Sequence, residues 1–247
     1  MPTSDDRLAT ARATIGYVMS RHPGEMTSPV PNCPGWTVYN AAVHIGRACV
    51  FWEEMMASPP DDSSARDRAL ATITRLPTGV DLTQLAAWAE SAMAAIEAGG
   101  DRECYFSMTG GPGTFDLWAW HAAAELSVHQ LDVEAALGHP HTISEPAALD
   151  SAEYACAYFM PAMRRAMHED PGGLTVELTG HDGVVVGSTS IESHAPGRAT
   201  VRGPATQVLL GLWGRPHTNV EVVGGDAAVW DNWRSLPGRS HQFGTWE

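Results

Sequence analysis

Glu125 and His129 stand four residues apart in the run His121-Ala-Ala-Ala-Glu125-Leu-Ser-Val-His129-Gln-Leu-Asp132. On a helix that spacing sends both side chains from one face, a single turn apart. A carboxylate and an imidazole so placed can chelate one ion without moving the backbone. Asp132 follows three residues later on the same stripe. Far upstream, His44 sits within an otherwise apolar run, where an unpaired imidazole is costly to bury. If His44 reaches this face from a neighbouring helix, the set becomes His/Glu/His with an open fourth position, the ligand count of a catalytic zinc. Four-helix bundles build metal sites from just such facing side chains. The residues alone leave a second reading open: a helix face with a solvated Glu125 and a His129 at the edge of the core.

Neighbouring candidates fit less well. His121 precedes Glu125 by four residues, but about 12 Å of helix axis separates it from His129, too far to close around one ion. It reads as a pocket wall or as a buried, hydrogen-bonded histidine. Metalloprotease chemistry needs H-E-x-x-H with the Glu free as a base, whereas Glu125 precedes His129 by four. The cysteines Cys33, Cys49, Cys104 and Cys156 are scattered with no C-x-x-C, against both a disulfide framework and a thiolate metal site. Cys33 reads as a structural thiol and Trp36 as a packing anchor beside a helix start. His139 and His141 bracket Pro140 in a loop. Gly110-Gly-Pro-Gly113 lacks the Lys and Ser/Thr of a phosphate loop and reads as a turn.

The positioning elements are helical over most of the chain. Ser4 is placed to cap a helix to about Arg21, stopped by His22-Pro-Gly. After the Pro-rich loop 29–35, Thr37 caps a second helix to about Ala57 that carries His44. A third spans Asp81 to Ala98, and a fourth runs from about Phe115 to Leu137, ended by Gly138 and Pro140. A fifth covers roughly Pro146 to Glu169. After Pro171-Gly-Gly173 the period changes to alternation in 174–178, 183–190 and 199–202. A short helix over 204–213, a strand over 220–223 and a last helix over 227–236 complete the pattern. The expected organisation is a helical domain, 1–170, followed by a smaller α+β domain, 171–247.

Composition narrows the classes. Hydrophobic residues make up 44% and charged residues 18%, as in an ordinary globular protein. Fifteen basic against twenty-nine acidic residues give a formal charge of −14, which repels phosphate backbones and anionic lipid. Neither nucleic acid nor a membrane is expected as a partner. The Met1-Pro-Thr-Ser-Asp-Asp start has no signal-peptide pattern, so a cytoplasmic location is expected.

Asn32-Cys-Pro-Gly-Trp-Thr-Val38, His44 and Glu125-x-x-x-His129-x-x-Asp132 together resemble the mycothiol-dependent maleylpyruvate isomerase family. The N-terminal domain of that family resembles the DinB-type metal-binding four-helix bundle. The run Val201-Arg-Gly-Pro-Ala-Thr-Gln-Val-Leu-Leu-Gly-Leu-Trp-Gly-Arg215, followed by Gly224-Gly-Asp226, is similar to the family's small sterol-carrier-like C-terminal domain. The motifs are short but specific in order and spacing, and they span nearly the whole chain. The resemblance implies an α plus α+β fold with those two domains. It also implies zinc on His44, Glu125 and His129, with a water or thiol in the open position. Asp132 falls at a further active-site acid, and Arg215 at an arginine of the C-terminal domain implicated in activity.

The implied chemistry is thiol activation. A divalent ion deprotonates a bound thiol whose ordinary pKa is ~8.5. The thiolate of mycothiol, a low-molecular-weight thiol of actinobacteria, would then add to an electrophilic small molecule. Addition to a cis double bond, rotation and elimination give a maleylpyruvate-type cis–trans isomerisation. Release of the adduct would instead make the chain a mycothiol S-transferase. Arg215 would clamp a substrate carboxylate. A non-catalytic carrier of apolar ligands is the alternative from another class, and it would have no need of the metal triad.

Overall fold

The computed structural model describes residues 2–180 and 182–239. These divide into two compact units, Pro2–Thr142 and 143–239.

In the first unit, helices α1 (Ser4–Met19), α2 (Val38–Met56), α3 (Ala65–Ile73), α4 (Leu82–Gly99) and α5 (Phe115–Leu137) are joined by a hairpin of β1 (Glu103–Phe106) and β2 (Gly111–Thr114). Thr3, not Ser4, caps α1: its hydroxyl accepts from Asp6 N, and Asp6 answers at the Thr3 backbone, a capping box. Thr37 caps α2 as the sequence predicts, Asp81 caps α4 and Thr114 caps α5. Gly138, at φ 65°, ends α5 in the left-handed conformation a glycine adopts without strain. Three elements differ from expectation. Helix α3 and strand β1 lie where no element is expected, and Gly111–Gly113 belong to strand β2 rather than to the turn.

Helix α5 is the centre of this unit. Helices α1, α2 and α4 pack around it, and all but one of the residues from Trp118 to Glu134 are buried. The alanines 122–124 therefore do not mark a solvent face; small side chains let neighbouring helices approach closely. The start of α5 is similarly tight, because a Cβ on Gly99 would come within 2.0 Å of the Phe115 ring.

The second unit begins with α6 (Glu145–Tyr154), a π-helical turn (Ala155–Phe159) and α7 (Met160–Met167). A four-stranded sheet follows, from β3 (Gly173–Thr179), β4 (Val185–Ile191), β5 (Arg198–Pro204) and β6 (Glu221–Gly225), with α8 (Ala205–Leu212) and α9 (Ala227–Arg239). Strand order is β4-β3-β5-β6, antiparallel except for the parallel β3/β5 pair. The division between units falls earlier than the change of period at 170/171 suggests. Helix α6 packs on α8 and α7 on α9, and Phe159 stacks on Trp213 with ring centroids 4.2 Å apart. Periodicity announces a helix over these residues but cannot say which core its apolar face joins. Among the described residues, no helix is long and apolar enough to cross a membrane.

Candidate metal centre

His44 on α2 and Glu125 and His129 on α5 converge, with one ligand atom from each lying within 4.8 Å of the others. His44 Nε2 is 3.6 Å and His129 Nε2 3.5 Å from the same oxygen, Glu125 Oε1. Those separations are long for hydrogen bonds. They match the edge of a tetrahedral site, since two ligands each about 2.0–2.1 Å from one zinc lie roughly 3.3 Å apart. The two imidazoles meet edge to face at 4.6 Å between centroids. All three side chains are buried. Two imidazole nitrogens and one carboxylate, sequestered together, are a donor set that fits a divalent ion of zinc's type.

The buried charges pair with one another. Burial alone would raise the Glu125 carboxyl, but the adjacent imidazoles of His129 and His44 hold it well below the usual carboxylate range. Burial likewise lowers His129, yet the Asp132 and Glu125 carboxylates outweigh it and bring the ring up to about 8. Asp132 has no exposed surface and places Oδ2 3.2 Å from His129 Nδ1. A carboxylate facing the far nitrogen of a ligating histidine favours the tautomer that presents Nε2 to the ion. The helical spacing predicts this neighbourhood, because Asp132 follows His129 by three residues.

Two side chains at the centre escaped the sequence reading. The indole of Trp36 lies against both imidazoles, with centroids 5.1 Å from His44 and 6.0 Å from His129. Cys33 Sγ lies 3.4 Å from Asp132 Oδ2. The loop that brings them back folds on itself, with Val30 N bonded to Trp36 O and Trp36 N to Cys33 O, both at 2.9 Å. Gly35, at φ 88°, makes the reversal between them. The sequence signals two things here: this loop stands immediately before the helix that carries His44, and both residues lie in the run Asn32–Val38 that carries the family resemblance.

His121 stays outside the cluster. Its ring is buried among Trp52 (4.9 Å), Trp118 (5.4 Å) and Phe106 (6.3 Å). Burial lowers it to about 4, against an opposing pull from Glu125. The unfolded chain titrates near 6.5, so between pH ~6.5 and ~4 only the unfolded state takes up this proton. Stability from this group is full above ~6.5 and falls by about 3 kcal/mol towards pH 4. His121→Phe is expected to flatten the acid side of an unfolding-midpoint profile, and an unchanged slope would contradict it. The His139/His141 loop is structural. His139 Nδ1 meets Tyr17 OH at 2.9 Å, and His141 Nδ1 lies 3.4 Å from Glu134, which also accepts from Gln130 Nε2 at 2.9 Å.

Arg215 belongs to the second unit, just beyond α8. Its guanidinium donates to Trp213 O at 3.2 Å, and its backbone N–H to Leu210 O at 2.8 Å. The main chain is thus held as a helix ending, with the arginine at a defined place after it.

Comparison with known proteins agrees with this architecture. The family model described as the mycothiol maleylpyruvate isomerase N-terminal domain matches residues 8–134, and that for the C-terminal domain of the same family matches residues 145–232. Crystal structures of a mycothiol-dependent maleylpyruvate isomerase and of a point mutant of it superimpose with a TM-score of 0.58 at 15% identity. Each match covers 92% of this chain and 95% of the other. No curated protein matches.

Proposed function

The chain belongs to the mycothiol maleylpyruvate isomerase family, and from that premise we propose that it is a zinc-dependent enzyme using mycothiol for cis–trans isomerisation of a maleylpyruvate-type substrate. The observation that carries the proposal is the convergence of the buried side chains of His44, Glu125 and His129. These three would hold the ion, which, when bound, supplies an acidity that keeps a thiol deprotonated at neutral pH. Asp132 would act as a positioning residue, holding His129 from its Nδ1 side. Trp36 would form one wall of the site, its indole lying against both imidazoles.

In this reading the thiol sulfur forms a bond to one carbon of the cis double bond, and the π electrons move onto the conjugated carbonyl. The resulting single bond rotates. The electrons then return, the sulfur–carbon bond breaks and the trans product leaves with the thiol regenerated. Arg215 would meet a substrate carboxylate, where a charge-assisted bond contributes about 1.5–3 kcal/mol. Arg215→Ala is therefore expected to lower kcat/KM roughly 10- to 100-fold with zinc content unchanged. Zinc loss in that variant would refute this role.

The test of the whole proposal is direct. Purified protein should hold about one zinc, lost on chelation and in His44→Ala, and should convert maleylpyruvate only with mycothiol and zinc both present. A stable thiol conjugate as product would assign an S-transferase instead. A fully active, zinc-free protein would overturn the reading.

A further inference from the structure

Cys33 extends the network one residue beyond the set that would bind the ion. Its thiol is buried, and its backbone N–H donates to Val30 O at 3.1 Å within the folded loop. A carboxylate only accepts, so in the 3.4 Å contact with Asp132 Oδ2 the thiol is the donor. The same oxygen faces His129 Nδ1 at 3.2 Å. We infer that Cys33 is a positioning residue for the His129 ligand: its S–H fixes the Asp132 carboxylate, whose charge faces His129 Nδ1 and favours the tautomer with Nε2 turned towards Glu125 and His44. The inference rests on the ion-binding reading above.

Three physical points support it. A carboxylate with no exposed surface has no bulk water to orient it, so protein donors must do so. Groups that hold the far nitrogen of a ligating histidine tune both its orientation and its basicity. A thiol is a weak donor, so it directs the carboxylate while leaving most of its charge for His129. The remaining cysteines take no part in such an arrangement. Cys49, Cys104 and Cys156 lie elsewhere in the two cores, with thiols pushed up by burial, to about 11 for Cys104 and about 12 for Cys156.

The test is a chelator-competition titration of zinc on the full chain, comparing wild type, His44→Ala, Cys33→Ser, Cys33→Ala, Asp132→Ala and the Cys33→Ala/Asp132→Ala double variant. His44→Ala should lose zinc, which checks the underlying reading separately. Cys33→Ala should weaken zinc about tenfold, the lower end of what losing an outer support costs a metal site. Cys33→Ser, with a hydroxyl donor, should stay near wild type. In the Asp132→Ala background the Cys33 exchange should add nothing, because the thiol acts through that carboxylate. Additive losses, or wild-type affinity in Cys33→Ala alongside zinc loss in His44→Ala, would overturn the inference while leaving the site intact. A wild type that binds no zinc brings down both. Should Cys33→Ala fail to fold, Cys33→Val against Cys33→Ser makes the same comparison. Imidazole nitrogen shifts give an independent readout, with His129 carrying its proton on Nδ1 in wild type and Cys33→Ser.

Discussion

Glu125→Gln is expected to weaken zinc binding about a thousandfold or more and to remove turnover with it. The amide keeps the volume and one oxygen, so packing between α2 and α5 is preserved and only the charge is lost. Opposite unit charges 4 Å apart interact by about 4 kcal/mol at the effective dielectric of a protein, and every 1.4 kcal/mol is tenfold in affinity. An ion carrying two charges and bound closer than that loses at least this much when Glu125, the carboxylate that both histidine nitrogens face, becomes neutral. Zinc competition titration and the isomerase assay should fall together, with circular dichroism unchanged. A Glu125→Gln protein that holds zinc as wild type does would remove the carboxylate from the ligand set.

Trp118→Ala is expected to cost about 3–5 kcal/mol of stability, the range for truncating a large buried aromatic side chain. Trp118 is fully buried, packs edge to face on Phe106 at 5.1 Å and lies 6.3 Å from Trp52. Its indole N–H also donates to Tyr105 O at 3.0 Å, tying the β1/β2 hairpin to α5. Truncation leaves that carbonyl unpaired as well as opening a cavity, which adds about 1 kcal/mol. Trp118→Phe fills most of the space and should lose mainly the hydrogen bond. Urea denaturation should show a lower midpoint with an unchanged slope for both variants, larger for Ala. Equal midpoints for Ala and wild type would show that the hairpin and α5 are held by other contacts. The same helix carries Glu125 two turns later, so this core is also the rigid base of the candidate centre.

Much of that centre was legible because it is local. Glu125, His129 and Asp132 share one helix, and helical geometry alone fixes neighbours three and four residues apart. Thr37 and Asp81 likewise announce their helices through capping chemistry contained within one turn. The sequence reads Trp36 only as a packing anchor and Cys33 only as a structural thiol, because their contacts depend on a loop reversing at Gly35. No periodic pattern describes such a reversal. Helix α3 was missed for a related reason: it is short, and its cap residue Ser64 makes no side-chain cap bond.

By itself, the sequence determined the helix that bears two of the three candidate ligands, its stop at Gly138 and the change from helical to alternating period. Those properties are set by spacing and backbone preference, each acting over a few residues. The tertiary structure alone decided that His44 faces the oxygen His129 also faces. It likewise decided that Trp36 lies against the imidazoles and Cys33 against Asp132, and that residues 145–167 join the second unit. The physical reason is shared: each depends on which apolar faces pack together, and burial energy is non-directional until whole elements have chosen their partners.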